Sequence, residues 1–274
     1  MNVAAVPAKI NLSLVVGESR PDGLHRLATL MQRIDIVDRL RVELADETAV
    51  IGFANDTLIT RALAAVAEAS GVPAGFRATV EKHIPVAAGL GGGSADAAAA
   101  LVLANRLLGR PLPHRRLHEL AFVLGSDVPF FLAPGPKLVG GAGELVEPVT
   151  VPQDYVVVIA LPHDVAKRST GEVYSRFDEL GGGARFDERA VELRSAIASC
   201  EHARDLAGLP PNDLAEASGA RVAATRLAEL GAFRADVNGA GPSAYGLFTR
   251  RRDAERASSA LRSNARTWVT LPVW

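Results

Sequence analysis

The feature that most constrains this chain is Pro85-Val-Ala-Ala-Gly-Leu-Gly-Gly-Gly-Ser-Ala-Asp96, a run of glycines between an alternating segment and an alanine-rich one. Phe76, Ala78 and Val80 alternate with polar residues, the period of a half-buried strand. Ala97 to Leu108 reads as a helix, and Ser94 and Asp96 supply side chains suited to its N-terminus. Glycines at 89, 91, 92 and 93 let the backbone adopt positive φ and turn several N–H groups onto one anion. The helix behind them adds the positive end of its dipole. A strand, an anion-binding loop and a helix are therefore expected in succession. The spacing excludes a P-loop, which needs Lys-Ser/Thr after its last glycine where Ser94-Ala95 stands here. It also excludes G-x-G-x-x-G, since counting from Gly89 and Gly91 puts Ser94 at the third glycine.

Charge narrows the partner. With 30 Lys and Arg against 31 Asp and Glu in 274 residues, no global field draws nucleic acid or an acidic membrane, so a small-molecule partner is expected. Arg115-Arg116 and Arg250-Arg251-Arg252 are short, lack interleaved aromatics and read as solvated surface. The single Cys200 cannot form an internal disulfide and reads as structural in a reducing compartment. The N-terminal stretch carries Lys9 and shows no apolar run long enough for a signal or membrane segment, and a cytoplasmic protein is expected. His114 and His118 lack the further ligands a zinc site needs.

Residues 3 to 16 and 29 to 44 read as paired strands joined by the turn Arg20-Pro-Asp-Gly23, with Leu40, Val42 and Leu44 alternating against Arg41 and Glu43. Asp56 is placed to cap a helix over about 57–70 that Gly71 stops, and another helix over about 114–124 stops at Gly125. Ser126-Asp127 then precedes the apolar run Val128-Pro129-Phe130-Phe131. Gly140-Gly141-Ala142-Gly143 reads as a hairpin or loop, and Tyr155 to Leu161 as a buried strand ended by Pro162. Gly181-Gly-Gly183 is the best candidate linker, between a helix near 170–179 and a longer one near 187–205. The tail alternates a helix over about 219–230, a strand, the loop Asn238-Gly-Ala-Gly-Pro-Ser243, a strand through Phe248, a helix over about 252–263 and a strand Thr267 to Val273, an α+β pattern.

Three separated segments, Pro7-Ala-Lys-Ile-Asn-Leu12, Pro85 to Ala95, and Asn238 to Ala244, together resemble the GHMP kinase superfamily. Arg20-Pro-Asp-Gly-Leu-His25 and Gly125-Ser-Asp-Val-Pro129 make the chain most similar to its branch acting on 4-diphosphocytidyl-2-C-methyl-D-erythritol in non-mevalonate isoprenoid synthesis. That resemblance implies an α+β, two-lobed kinase with an S5-like N-terminal lobe over 1–150, a ferredoxin-like C-terminal lobe over 151–274, and the active site in the cleft. It implies ATP against Pro85, Val86, Ala87, Ala88, Gly89, Leu90, Gly91, Gly92, Gly93, Ser94 and Ala95, with Mg2+ accompanying it. It implies Lys9 and Asp127 as the catalytic pair and Asn11, His25, Thr170 and Tyr174 at the acceptor, with Gly239 and Gly241 approaching phosphates or acceptor. A monomer or homodimer fits equally. Leu24 departs from the pattern, which usually carries an aromatic residue there to sandwich the cytosine ring; leucine gives apolar contact without stacking.

Phosphoryl transfer to a hydroxyl leaves little covalent work to a protein, so rate comes from alignment and charge neutralisation. Asp127 suits proton acceptance or alignment of the hydroxyl, and Lys9 suits stabilisation of developing alkoxide charge. Plainer readings stand beside these. Asp127 can cap a helix whose early position holds Pro129; Lys9 can snorkel; Asn11 can serve a turn or edge; Ser94 can cap or ligate Mg2+; His25 can be a turn residue and Tyr174 core. The rival functions are a kinase for mevalonate, phosphomevalonate or homoserine, and a catalytically silent nucleotide binder.

Overall fold

Two long strands open the chain, β1 (Val3–Ser19) and β2 (His25–Ala45), and the turn between them closes where Gly23 N–H donates to Arg20 C=O at 2.9 Å. In the computed structural model, which describes residues 2–53, 57–109, 112–165 and 168–274, they are followed by β3 (Ala49–Ile51), α1 (Leu58–Ser70), β4 (Gly75–Glu81), α2 (Gly92–Leu107) and α3 (His114–Leu124). Then come a 3-10 turn (Pro129–Leu132), β5 (Lys137–Gly141), β6 (Leu145–Pro148), β7 (Val156–Pro162), α4 (Thr170–Glu179) and α5 (Phe186–Ala198). A second 3-10 turn (Ala203–Gly208), α6 (Ala215–Ser218), α7 (Arg221–Glu229), β8 (Arg234–Val237), β9 (Ala244–Phe248), α8 (Arg251–Leu261), β10 (Ala265–Thr270) and β11 (Pro272–Val273) complete the order. No described helix is long and apolar enough to cross a membrane.

The contacts divide the chain into two compact units that interleave along the sequence. The first holds residues 1–8, 36–86 and 91–134. Its strands run in the order β3-β4-β2, with β4 antiparallel to the second half of β2 from Arg39↔Glu81 to Ala45↔Gly75, and β3 parallel to β4. The period-2 pattern sends Leu40, Val42, Phe76, Ala78 and Val80 into one core with Ile59, Leu63, Leu101 and Leu117 from the helices. Each such Val, Leu, Ile or Phe side chain contributes about 1.5–3 kcal/mol by leaving water. Leu44, the next residue of the alternation, is exposed near the strand end. Alanines at 62, 97, 98, 100 and 104 are buried, and side chains this small let α1 and α2 approach closely.

The second unit holds residues 9–35, 87–90 and 135–274. The first half of β2 pairs antiparallel with β5 from Leu27↔Gly141 to Met31↔Lys137, β5 pairs with β6, and β11 pairs with β2 at Ile34 and Arg33. A separate antiparallel sheet has the order β10-β7-β9-β8, and its core joins Val158, Ala160, Val237 and Phe248 to Leu227 and Leu261 from α7 and α8. A smaller cluster of Leu14, Val16, Val173, Phe177 and Leu214 seats α4 on β1. Mainly antiparallel sheets packed with helices are the α+β class expected. The division expected at residue 150 is contiguous; the compact units are not.

Several boundaries differ from expectation. The capping role given to Asp56 lies outside the described residues; α1 begins after Thr57 and ends as expected at Gly71, which is left-handed at φ 65°. Gly181–Gly183 is not a free linker. A Cβ on Gly182 would stand 2.3 Å from the Phe177 ring and one on Gly183 2.9 Å from Glu18 N, so the turn is packed. The helix expected to reach 205 stops at Ala198, and a 3-10 turn follows in which Asp205 accepts the N–H groups of Glu201 and His202. The last expected strand splits at Leu271: β10 pairs with β7, whereas β11 pairs with β2.

Candidate active site

The glycine run forms the connection from β4 to α2. Positive φ at Gly89 (80°) and Gly91 (74°) is the glycine requirement read from the sequence, and Ala87 adopts φ 65° without being glycine, a local strain of the kind found at binding sites. Within the second unit this loop is pinned by its carbonyls. Leu90 C=O accepts the Lys9 N–H at 2.9 Å, Gly89 C=O accepts Asn238 Nδ2 at 2.9 Å, and Ala88 C=O accepts Ser243 Oγ at 2.6 Å. A Cβ on Gly89 would stand 2.7 Å from Gly241 O and 2.8 Å from Asn238 O, so only glycine admits this approach.

In the first unit α2 starts earlier than expected, at Gly92, with Gly91 as N-cap and no side-chain cap. Ser94 and Asp96 therefore do not cap it. Ser94 stands in its first turn; Asp96 is buried and accepts Lys82 Nζ at 2.6 Å. Lys82 also donates to the fully buried Asp38, which in turn accepts the His83 and Ile84 N–H groups at 2.5 and 2.8 Å. Burial opposes the Lys82 charge, but Asp96 and Asp38 outweigh it and hold the ammonium above the usual lysine range. These bonds fix the chain entering the glycine loop.

Lys9 and Asn11 are buried on β1, at 3% and 4% exposure, which rules out a snorkelling lysine. Lys9 Nζ donates to Asn11 Oδ1 at 2.7 Å, Asn11 Nδ2 to Thr29 Oγ1 at 2.9 Å, and Thr29 Oγ1 to Ser13 C=O at 2.6 Å. Asn11 N–H donates to Asn238 Oδ1 at 2.9 Å. A Cβ on Gly239 would lie 3.2 Å from Asn11 Oδ1 and 3.4 Å from Lys9 Nζ, so the late glycine loop reaches the lysine and Asn11. Asn212 holds that loop from behind, its Nδ2 donating to Val237 C=O and Gly239 C=O at 2.9 and 2.7 Å. Thr29 and Asn212 were not singled out from the sequence, and Asn238 and Ser243 entered only as the ends of the late glycine loop. The available signal was that Asn238 and Ser243 bracket the glycines of one loop.

At the start of β2, the His25 ring lies 4.7 Å from Tyr174 and 6.3 Å from Phe177 on α4, and its Nε2 is 2.8 Å from Asp178 Oδ1. His25 is thus a packed ring rather than a loose turn residue. Thr170 opens α4 as an exposed residue behind Ser169, which forms a reciprocal cap with Glu172. Leu24 is 41% exposed beside His25.

Asp127 belongs to the first unit, in the turn after α3 where Val128 N–H donates to Gly125 C=O at 3.0 Å. The following 3-10 turn has Val128 as N-cap and Pro129 in its first position, so Asp127 stands one residue before the N-cap. Lys9 belongs to the second unit. Among the described residues no group of three or more His, Cys, Asp or Glu side chains forms a metal cage.

Within the second unit, residues 87–90 of the glycine run, the buried Lys9 and the loop 238–243 meet, and the chain's relatives place it among small-molecule kinases of the GHMP type. The sequence profile described as "GHMP kinases N terminal domain" matches residues 57–135. The chain is 40% identical over 281 aligned residues to the 4-diphosphocytidyl-2-C-methyl-D-erythritol kinase of Symbiobacterium thermophilum, covering 96% of both chains. A crystal structure of 4-(cytidine 5'-diphospho)-2C-methyl-D-erythritol kinase superposes with a TM-score of 0.79 at 31% identity, covering 99% of both chains. The homoserine kinase of Cytophaga hutchinsonii shares the fold, with a TM-score of 0.75 at 16% identity over 100% of this chain and 96% of that one. The chain belongs to the 4-diphosphocytidyl-2-C-methyl-D-erythritol kinase family.

Proposed function

We propose that this protein transfers the γ-phosphoryl group of ATP to the 2-hydroxyl of 4-diphosphocytidyl-2-C-methyl-D-erythritol, a step of non-mevalonate isoprenoid precursor synthesis. The observation that carries this reading is the join of Lys9 to both glycine loops: its N–H holds Leu90 C=O and its ammonium lies beside Asn11 and Gly239.

In this reading Pro85 to Ala95, within the N-terminal lobe assigned to residues 1–150, hold the triphosphate through backbone N–H groups, and α2 adds its dipole. Asp127 accepts the proton of the attacking hydroxyl or holds that hydroxyl in line, and Lys9 stabilises the developing alkoxide. Asn11 orients Lys9 through their hydrogen bond. His25 and Tyr174 supply ring faces for the cytosine, Thr170 opens the helix beside them, and Gly239 and Gly241 keep the approach to the reacting groups clear. Mg2+ takes most of its ligands from phosphates and water and needs few side chains. Ser94 is the side chain assigned to it, and the ion would neutralise phosphate charge. The substrates are soluble small molecules, and the cytoplasm is the compartment proposed.

The test is ADP formation from Mg-ATP that depends on the cytidyl acceptor, in the wild type, Asp127→Asn and Lys9→Met. Loss of a positioned acid–base or charge-stabilising group should lower kcat by roughly 10²–10⁴ while the melting temperature holds. Wild-type rates in either folded variant would remove that residue from the catalytic assignment.

A further inference from the structure

Three successive carbonyls of the glycine loop are each taken by a donor: Ala88 by Ser243 Oγ, Gly89 by Asn238 Nδ2 and Leu90 by Lys9 N–H. These donors are themselves joined, since Asn238 N–H donates to Ser243 C=O at 2.9 Å and Asn238 Nδ2 reaches Lys9 C=O at 3.4 Å. The carbonyls of Ala88, Gly89 and Leu90 therefore point into one cluster. A trans peptide carries its C=O and its N–H on opposite sides, and the single cis bond among the described residues is Gly241–Pro242. Holding those carbonyls turns the N–H groups of Gly89, Leu90 and Gly91 away from the cluster.

Glycine peptides reorient at little steric cost, so a loop with glycine at 89 and 91 would otherwise also present carbonyl lone pairs to an anion. We infer that Asn238 and Ser243 are positioning residues for nucleotide binding: their side chains anchor the loop's carbonyls so that its N–H face is preset for the polyphosphate. Both are fully buried, so neither bond is shared with bulk water. Asn238 does a second job through its other amide atom, since Oδ1 accepts the Asn11 N–H. The inference rests on the ATP reading above and assigns to these two side chains a task beyond docking one loop on another.

Isothermal titration of ATP separates that task from simple packing. Ser243→Ala removes one donor; Asn238→Asp removes the donor to Gly89 while keeping an acceptor for Asn11. The loss of one net hydrogen bond predicts an ATP Kd raised about five- to tenfold in Ser243→Ala. A larger rise is expected in Asn238→Asp, where carboxylate meets carbonyl. Ser243→Thr, which retains the hydroxyl, should recover affinity, and acceptor Kd should stay near wild type in both Ser243 variants. An ATP Kd unchanged in both folded donor-deleted variants, or an equal loss for ATP and acceptor, overturns the inference. If Ser243→Ala does not fold, Asn238→Asp decides alone. A wild type without ATP affinity overturns the kinase reading and this one together, whereas a wild type that binds ATP beside unchanged variants overturns only the positioning role.

Discussion

Lys137 sits on β5 with its side chain almost wholly buried and its ammonium donating to Gly135 C=O at 2.9 Å. Burial first, and the nearby Arg33 guanidinium second, lower its pKa to about 7; burial likewise lowers Arg33 to about 10. The unfolded chain returns Lys137 to 10.5, so between those two values the unfolded state holds more protons and stability rises with pH. Below about 7 both states are protonated and the full cost of the buried charge is present. Urea unfolding should therefore show a gain from about pH 6 to about pH 9.5 that Lys137→Met largely removes; an equal gain in the variant would contradict the assignment. At this scale Lys9, Asn11 and Gly239 drew notice because each lies in a motif of adjacent residues, and the fold brings the three together. Their partners were not legible: Asn11 and Asn238 stand 227 positions apart, and only folding joins them. Asp96 looked like a cap and is instead a partner of Lys82, because a left-handed Gly91 starts the helix without any side chain.

The glycine loop is the element whose form followed most directly from its sequence. Strand, positive-φ glycines and helix appear in the expected order, with only the helix start displaced toward the loop. Gly89 is doubly constrained, by its φ of 80° and by the carbonyls of Gly241 and Asn238 within 2.8 Å of an added Cβ. Gly89→Ala is expected to lower stability by about 1–3 kcal/mol from the left-handed backbone alone and to weaken ATP binding as the two loops separate. Thermal melting and ATP titration check both; a variant that melts and binds like wild type would show that the approach relaxes freely. Other elements were misjudged where tertiary packing overrode local composition. Gly181–Gly183 has linker composition, yet its missing side chains are what let it pack on the Phe177 ring and on Glu18. The helix beyond Ala198 gave way to a 3-10 turn because Asp205 ties back to the backbone at 201 and 202.

For the whole molecule, alternation of strands and helices made the α+β class legible, and the segments at 7–12, 85–95 and 238–244 made the family legible. The compact units were not, because membership follows contacts: the second unit collects 9–35, 87–90 and 135–274, and no composition shift marks those joins. Fold alone does not choose the acceptor, since a homoserine kinase shares it at 16% identity. The acceptor is read instead from family membership, with His25 and Tyr174 proposed to hold the cytosine. The most direct measurement is a mass-resolved transfer assay with Mg-ATP and a panel of 4-diphosphocytidyl-2-C-methyl-D-erythritol, mevalonate, phosphomevalonate and homoserine. A phosphorylated product from the cytidyl compound alone is the result predicted. Transfer to another member of the panel in its place would keep the kinase and reject the cytidine site, and no product from any of them would contradict the assignment of this chain as an active kinase.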